Sequence, residues 1–225
     1  MPLLPEQAHY LFGVMRQVVG DAVALFNGRD GEWRARVAAV TKRGGLLACE
    51  ELTAPQSDPP DLWLVFAPIK KARTDFIVEK AVELGAARIL PVQTDHTNAE
   101  RIRQDRLQAH AVEAAEQCGA TAVPEVAALQ PLSKLLDGWD PARRLIWADE
   151  GAVGRGAGLP ATPAPAAILI GPEGGFSPAE RARLTGLPFV TPVALGPRIL
   201  RADTAAVAAL TLWQAASGDW AGERR

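Results

Sequence analysis

Residues Ile168-Leu-Ile-Gly-Pro-Glu-Gly-Gly-Phe-Ser-Pro-Ala-Glu180 run an apolar stretch straight into a glycine-rich turn, a pattern suited to holding a ligand by the backbone. Without a Cβ, glycine lets a ligand approach main-chain atoms closely, and amides left free in such a turn can bond its polar edges. Ser177, Pro178 and Glu180 then form a capping box with proline at the first helical position, which predicts a helix start. Familiar phosphate loops do not match. A Walker loop needs Lys-Ser/Thr where this turn has Phe176-Ser177. The run Gly154-x-Gly156-x-Gly158 has the wrong spacing for a dinucleotide fingerprint, and the Gly-x-Ser-x-Gly of a serine nucleophile elbow is absent. Standing alone, the turn leaves open the weaker alternative of a ligand-free connection.

A second loop follows, Leu195-Gly-Pro-Arg-Ile-Leu-Arg-Ala-Asp-Thr204, again between a predicted strand and a predicted helix. Arg198 and Arg201, three residues apart and beside Asp203 and Thr204, exceed what a connection needs. The plain alternative is a solvated turn in which Asp203 or Thr204 caps the helix.

Positioning these loops requires a sheet. Leu62 to Ala67 is a short continuous apolar run, as expected of a strand buried on both faces. Residues 72–84 place Phe76, Ile77, Ala81 and Leu84 at helical spacing, with Gly85 where a helix-ending glycine belongs. Arg88 to Val92 reads as strand again, so a βαβ unit and a mostly parallel sheet are predicted. Glu100 to Cys118 reads as a helix ended by Gly119. Leu145–Ala148, Ala167–Ile170 and Phe189–Leu195 complete the strands, and Ala202–Ser217 is a closing helix. The first 53 residues differ. Ala22–Phe26, Glu32–Val40 and Leu46–Cys49 are β-prone runs, joined by turn chemistry at Asn27–Gly31 and Lys42–Gly45. The proline-rich Ala54–Asp61 marks a predicted domain boundary.

Composition narrows the class. The 225 residues carry 24 Lys+Arg against 26 Asp+Glu, a net charge of −2, so no basic bulk advertises a nucleic-acid partner. The surplus is local: residues 181–225 hold six arginines against three acidic residues. Cys49 and Cys118 form no C-x-x-C pair and His9, His96 and His110 lie far apart, so neither a metal site nor a disulfide framework is signalled. The reading is a cytoplasmic protein with no leader or membrane span.

Together, Ile170-Gly-Pro-Glu-Gly-Gly175 and Leu195-Gly-x-Arg-Ile-Leu-Arg-x-Asp-Thr204 resemble the SPOUT methyltransferases, and more narrowly their RsmE branch. Lys80-Ala-Val-Glu-Leu-Gly85, Glu113-Ala-Ala-Glu-Gln-Cys-Gly119 and Val123-Pro-Glu125 extend the resemblance over nearly the whole chain. It implies an α/β domain over residues 62–225 with a trefoil knot, a linker at 55–61, and a small PUA-like β-barrel at 1–54 that grips RNA. Relative to the family pattern, the segment before Gln7 is short by roughly one strand. The resemblance further implies a homodimer that uses S-adenosylmethionine, without metal, to methylate uridine N3 in the decoding region of 16S ribosomal RNA in the small subunit. The expected cofactor residues are Leu169, Ile170, Gly171, Pro172, Glu173, Gly174, Gly175, Leu195, Gly196, Ile199, Leu200, Arg201 and Thr204.

Methylating N3 requires in-line placement of two reactants and loss of the N3 proton. Arg201 is expected to stabilise charge on the uracil oxygens, Arg198 to hold a phosphate or the base, and Glu173 either to accept the proton or to bond nearby amides. Arg16 matches an arginine of the family's RNA-binding domain and is an expected RNA contact. Lys70, Lys71 and Arg73 read equally as a solvated helix start or as phosphate contacts. Trp213 reads as core or dimer interface. Two other readings stay open: a SPOUT enzyme acting on another RNA or atom, and a non-catalytic RNA-binding protein of the same fold.

Overall fold

The computed structural model describes residues 1–41, 44–99, 101–152 and 158–220. They divide into two compact units, Met1–Asp58 and Pro59–Arg225.

In the larger unit, β4 (Leu62–Phe66), β5 (Arg88–Gln93), β6 (Glu125–Val126), β8 (Arg144–Ala148), β9 (Ala166–Ile170) and β10 (Val190–Val193) form a sheet of order β10-β8-β9-β4-β5-β6. Every pairing in it is parallel, and β7 (Gln130–Pro131) adds to β5 in the same sense. Leu62, Leu64, Val65 and Phe66 of the central β4 and Ala166, Ile168 and Leu169 of β9 are fully buried, which explains their unbroken apolar sequence. Helices α2 (Lys71–Glu83), α3 (Gln104–Cys118), α4 (Leu132–Asp137), α5 (Pro178–Gly186) and α6 (Ala202–Ser217) complete the unit.

Most boundaries follow the residues that predicted them. Gly119 ends α3 with φ +72°, the left-handed conformation that glycine adopts without a Cβ clash. The α3 helix starts at Gln104, and Glu100, its predicted first residue, lies outside the described residues. Ser177 caps α5 as predicted: its Oγ accepts from the Glu180 amide at 3.3 Å while its own amide donates to the Glu180 carboxylate at 2.9 Å. Helix α4 was not predicted, since six residues give too little periodicity to read. Trp213 is core: it is wholly buried and its Nε1 donates to Thr162 O at 2.8 Å. Gln214, also fully buried, donates from Nε2 to Leu84 O at 2.7 Å and so ties α6 to the end of α2.

The smaller unit is an antiparallel sheet β1-β2-β3, from Ala22–Phe26, Glu32–Thr41 and Gly44–Ala54. The Asn27–Gly31 turn forms as predicted, with Asn27 Oδ1 accepting from the Arg29 and Asp30 amides at 3.0 and 2.9 Å. Lys42 and Arg43 of the second predicted turn lie outside the described residues. The expected PUA-like unit takes the form, among the described residues, of this antiparallel sheet. Residues 1–3 lie along β3, with the Leu3 amide donating to Gly45 O at 3.0 Å and the Leu47 amide to Met1 O at 2.9 Å. A short helix α1 (Pro5–Ala8) runs on as a π-helix over His9–Val14, again unpredicted. It covers a small core of Leu11, Ala35, Val37 and Leu47. A Cβ on Gly45 would come within 2.6 Å of the Phe12 ring, so glycine there lets Phe12 pack on the strand.

Candidate active site

Because the sheet is parallel, β4, β8, β9 and β10 present their carboxyl ends on one edge. The chain runs from β4 outward through β5 and β6, then places β9, β8 and β10 on the other side of β4. In open parallel sheets, ligands bind at the carboxyl edge beside such a switch in strand order. A cavity of about 400 Å³ lies there, lined by both predicted loops.

From the first loop, Ile170, Gly171, Pro172, Glu173, Gly175 and Phe176 line it. From the second come Leu195, Arg198, Ile199, Leu200 and Arg201. Four expected residues do not line the cavity. Leu169 points into the core with Val65 and Trp147, because alternate residues of a strand face opposite sides. The Gly174 Cβ position faces His96, 3.3 Å from its Cβ. Gly196 has φ +117° and nothing within 4 Å of its Cβ position, so its role is conformational. Thr204 is exposed, and its amide donates to Asp203 Oδ1 at 2.9 Å. Nor does Asp203 or Thr204 cap α6. The N-cap is Arg201, with no side-chain cap bond, because extended backbone continues to that residue.

Glu173 meets a partner the sequence did not suggest. Its Oε1 accepts from Arg73 Nη1 at 3.2 Å, and Arg73 Nε lies 3.7 Å from Asp203 Oδ2. Thus Arg73, at the start of α2, bridges a carboxylate of each loop. Arg198 and Arg201 are exposed, without an ion-pair partner among the described residues, and Ile199 between them is 75% exposed. Arg16 belongs to the smaller unit. It is exposed and takes φ +58°, a left-handed conformation uncommon for a residue with a Cβ.

Several residues of the site went unread in the sequence. Asp149 and Glu150 follow β8 and line the cavity; Asp149 pairs with Arg181 at 2.8 Å. Acidic residues straight after a buried parallel strand were an available signal, since that is where such sheets bind ligands. A Cβ on Gly175, which has φ +66°, would fall inside the Glu150 carboxylate. On Gly171 it would come within 2.6 Å of the Phe176 ring, so this glycine makes room for packing rather than directly for a ligand.

Behind the first loop, the segment after β5 acts as a clamp. His96 Nδ1 lies 3.0 Å from Gly174 O and 3.2 Å from Gly175 O. Carbonyl oxygens only accept, so Nδ1 carries the proton. Ser177 Oγ donates to Asp95 Oδ2 at 2.5 Å, and the Asp95 amide donates to Glu180 Oε1 at 2.9 Å. No sequence signal marked His96, whose partners lie 78 and 79 residues away.

Fold and cavity define the class: a parallel α/β protein with a cavity between paired strand-to-helix loops at a switch point. The RNA methyltransferase domain family matches residues 56–214, and the RNA methyltransferase PUA domain family matches residues 3–47. Ribosomal RNA small subunit methyltransferase E of Bacillus subtilis is 30% identical over 222 residues, covering 92% of this chain and 86% of the relative. The enzyme of the same name from Synechocystis is 31% identical, covering 92% and 70%. The crystal structure of the Neisseria gonorrhoeae enzyme of that name, bound to S-adenosyl methionine, aligns with a TM-score of 0.86 at 25% identity over 98% of this chain and 93% of its own. A Legionella pneumophila protein solved with bound SAM aligns at 0.85 and 30% identity, over 97% and 93%. The chain belongs to the RNA methyltransferase family, in its small-subunit ribosomal RNA methyltransferase E (RsmE) branch.

Proposed function

We propose that this protein transfers a methyl group from S-adenosylmethionine to N3 of a uridine in the decoding region of 16S ribosomal RNA. The observation that carries the reading is the meeting of both loops in one cavity, with two exposed arginines, without ion-pair partners among the described residues, beside a glycine turn. The residues fit a nucleoside cofactor. The cavity lies within the range of about 300–1,000 Å³ usual for such ligands. Ile170, Phe176, Leu195 and Leu200 offer apolar surface, and at Gly175 any side chain would meet the Glu150 carboxylate. Bound there, the cofactor supplies an electrophilic methyl on its sulfonium.

The chain's own groups act on the base. Arg201 offsets negative charge on the uracil oxygens as N3 loses its proton, and Arg198 holds a flanking phosphate or the base itself. Glu173 is the carboxylate assigned to receive that proton or to steady the loop; its bond to Arg73 favours the second role, in which the N3 proton passes to solvent water. Arg16 and the PUA-like unit, residues 1–54, hold RNA, and residues 55–61 link them to the catalytic domain at 62–225. The reading includes a trefoil knot, a homodimer in which the partner completes each site, and a cytoplasmic location.

Calorimetry with S-adenosylmethionine tests the cofactor, and no binding at high micromolar ligand would reject it. Incubation with unmodified small subunits and with naked 16S RNA, followed by mass mapping, tests the target. N3-methyluridine is expected; any other product rejects the narrow assignment.

A further inference from the structure

The first turn of α2 faces two cavities. Lys70 and Arg73 line the active-site cavity, whereas Lys71, Thr74 and Asp75 line a second one of about 290 Å³. Its far wall comes from the start of α3 and the residues before it: Arg101, Ile102, Arg103, Arg106 and Leu107. Polar groups that could identify a particular small molecule are already engaged. Thr74 Oγ donates to Ile69 O at 3.1 Å and accepts from the Ile69 amide at 3.0 Å. Asp75 accepts from Arg106 Nη2 at 2.7 Å.

What remains available is positive charge. Lys71 and Arg101 are exposed and have no ion-pair partner among the described residues. Arg103 pairs with Asp105 at 2.7 Å, but their side chains are 78% and 67% exposed, and such surface pairs exchange readily with solvent or another anion. Glu100 lies outside the described residues. Among the described lining residues, four cations, Lys71, Arg101, Arg103 and Arg106, stand against the single carboxylate of Asp75. A concave site whose free polar groups are all long cations reads charge and not base identity, which is how proteins hold a nucleic-acid backbone.

We propose that this second cavity seats a phosphodiester group of the RNA strand whose target base enters the active site. The inference rests on the RNA reading above. The two cavities share one helical turn, so a strand held by Lys71 and Arg101 passes directly beside Lys70 and Arg73.

The test measures the affinity of transcribed, unmodified 16S RNA across a potassium chloride series for wild type, Lys71→Gln, Arg101→Gln and the double variant. Lys134→Gln, an exposed cation on α4, serves as the charge control, and thermal melting confirms folding. Each lost phosphate contact should flatten the log affinity against log salt slope by roughly 0.7–0.9. The double variant should bind RNA about tenfold more weakly near physiological salt, with cofactor affinity and kcat at saturating RNA unchanged. A wild-type slope in the double variant, an equal loss in Lys134→Gln, or a parallel loss of cofactor affinity would each overturn the proposal. Failure of wild type itself to bind the RNA would instead remove the RNA reading on which it stands.

Discussion

The two loops that meet in the active-site cavity are built in opposite ways. The β9–α5 loop is held from behind. Gly175, Phe176 and Ser177 are buried, Ser177 and Glu180 close a capping box, and Asp95 and His96 bond the loop and the helix start at four points. The β10–α6 loop has no side-chain cap, and Arg198, Ile199 and Arg201 are exposed. A preformed cradle suits a small cofactor, because little conformational freedom of the loop has to be given up at binding. An open arm with two cations suits a large, charged partner that supplies the missing contacts. The division implies that damage to the first loop reads out in cofactor affinity and damage to the second in turnover.

The largest effect is expected at the open loop. Arg201→Ala should lower kcat by about two to three orders of magnitude, the usual cost of removing a group that stabilises developing charge, while S-adenosylmethionine affinity by calorimetry stays within a few fold. Loss of cofactor binding would move Arg201 into the cradle and erase the contrast. Next comes Gly175→Ala, which adds a Cβ to a left-handed residue against the Glu150 carboxylate. We expect cofactor affinity to fall at least about tenfold, since a left-handed residue with a Cβ costs about 1–2 kcal/mol before any collision.

A smaller change sharpens the clamp. His96→Ala should weaken cofactor binding several-fold, in line with about 0.5–1.5 kcal/mol for a neutral hydrogen bond. His96→Asn, whose amide can donate from nearly the Nδ1 position, should restore most of it, and His96→Gln should not. Equal losses in all three, tracking melting temperature, would reduce His96 to a packing residue. The smallest effect belongs to Thr204→Ala. Exposed and outside the cavity lining, it should leave both affinity and kcat within about twofold, as surface substitutions usually do.

The same contrast explains what could be read in advance. Both loops were visible as motifs because each lies within a dozen contiguous residues. So was the parallel sheet, because Leu62–Phe66 and Ala166–Ile170 are apolar without alternation, which only burial on both faces produces. The capping box was legible for the same reason of nearness. Glu173 was legible as a candidate, and it lines the cavity, but its Arg73 partner stands one hundred positions away. Thr204 was assigned to the cavity by its place in a motif, yet in the first turn of α6 it is exposed and outside the cavity lining.

Residue type and local spacing therefore determined the elements, the two loops and the chemistry on offer, since these follow from interactions between near neighbours. Strand order decided the rest. By bringing the ends of β8, β9, β4 and β10 to one edge, the fold set Glu150 against Gly175, His96 behind Gly174, and Arg73 between Glu173 and Asp203. Those contacts join residues distant in sequence, and no local pattern carries them, because only packing of the whole sheet fixes which strand lies beside which.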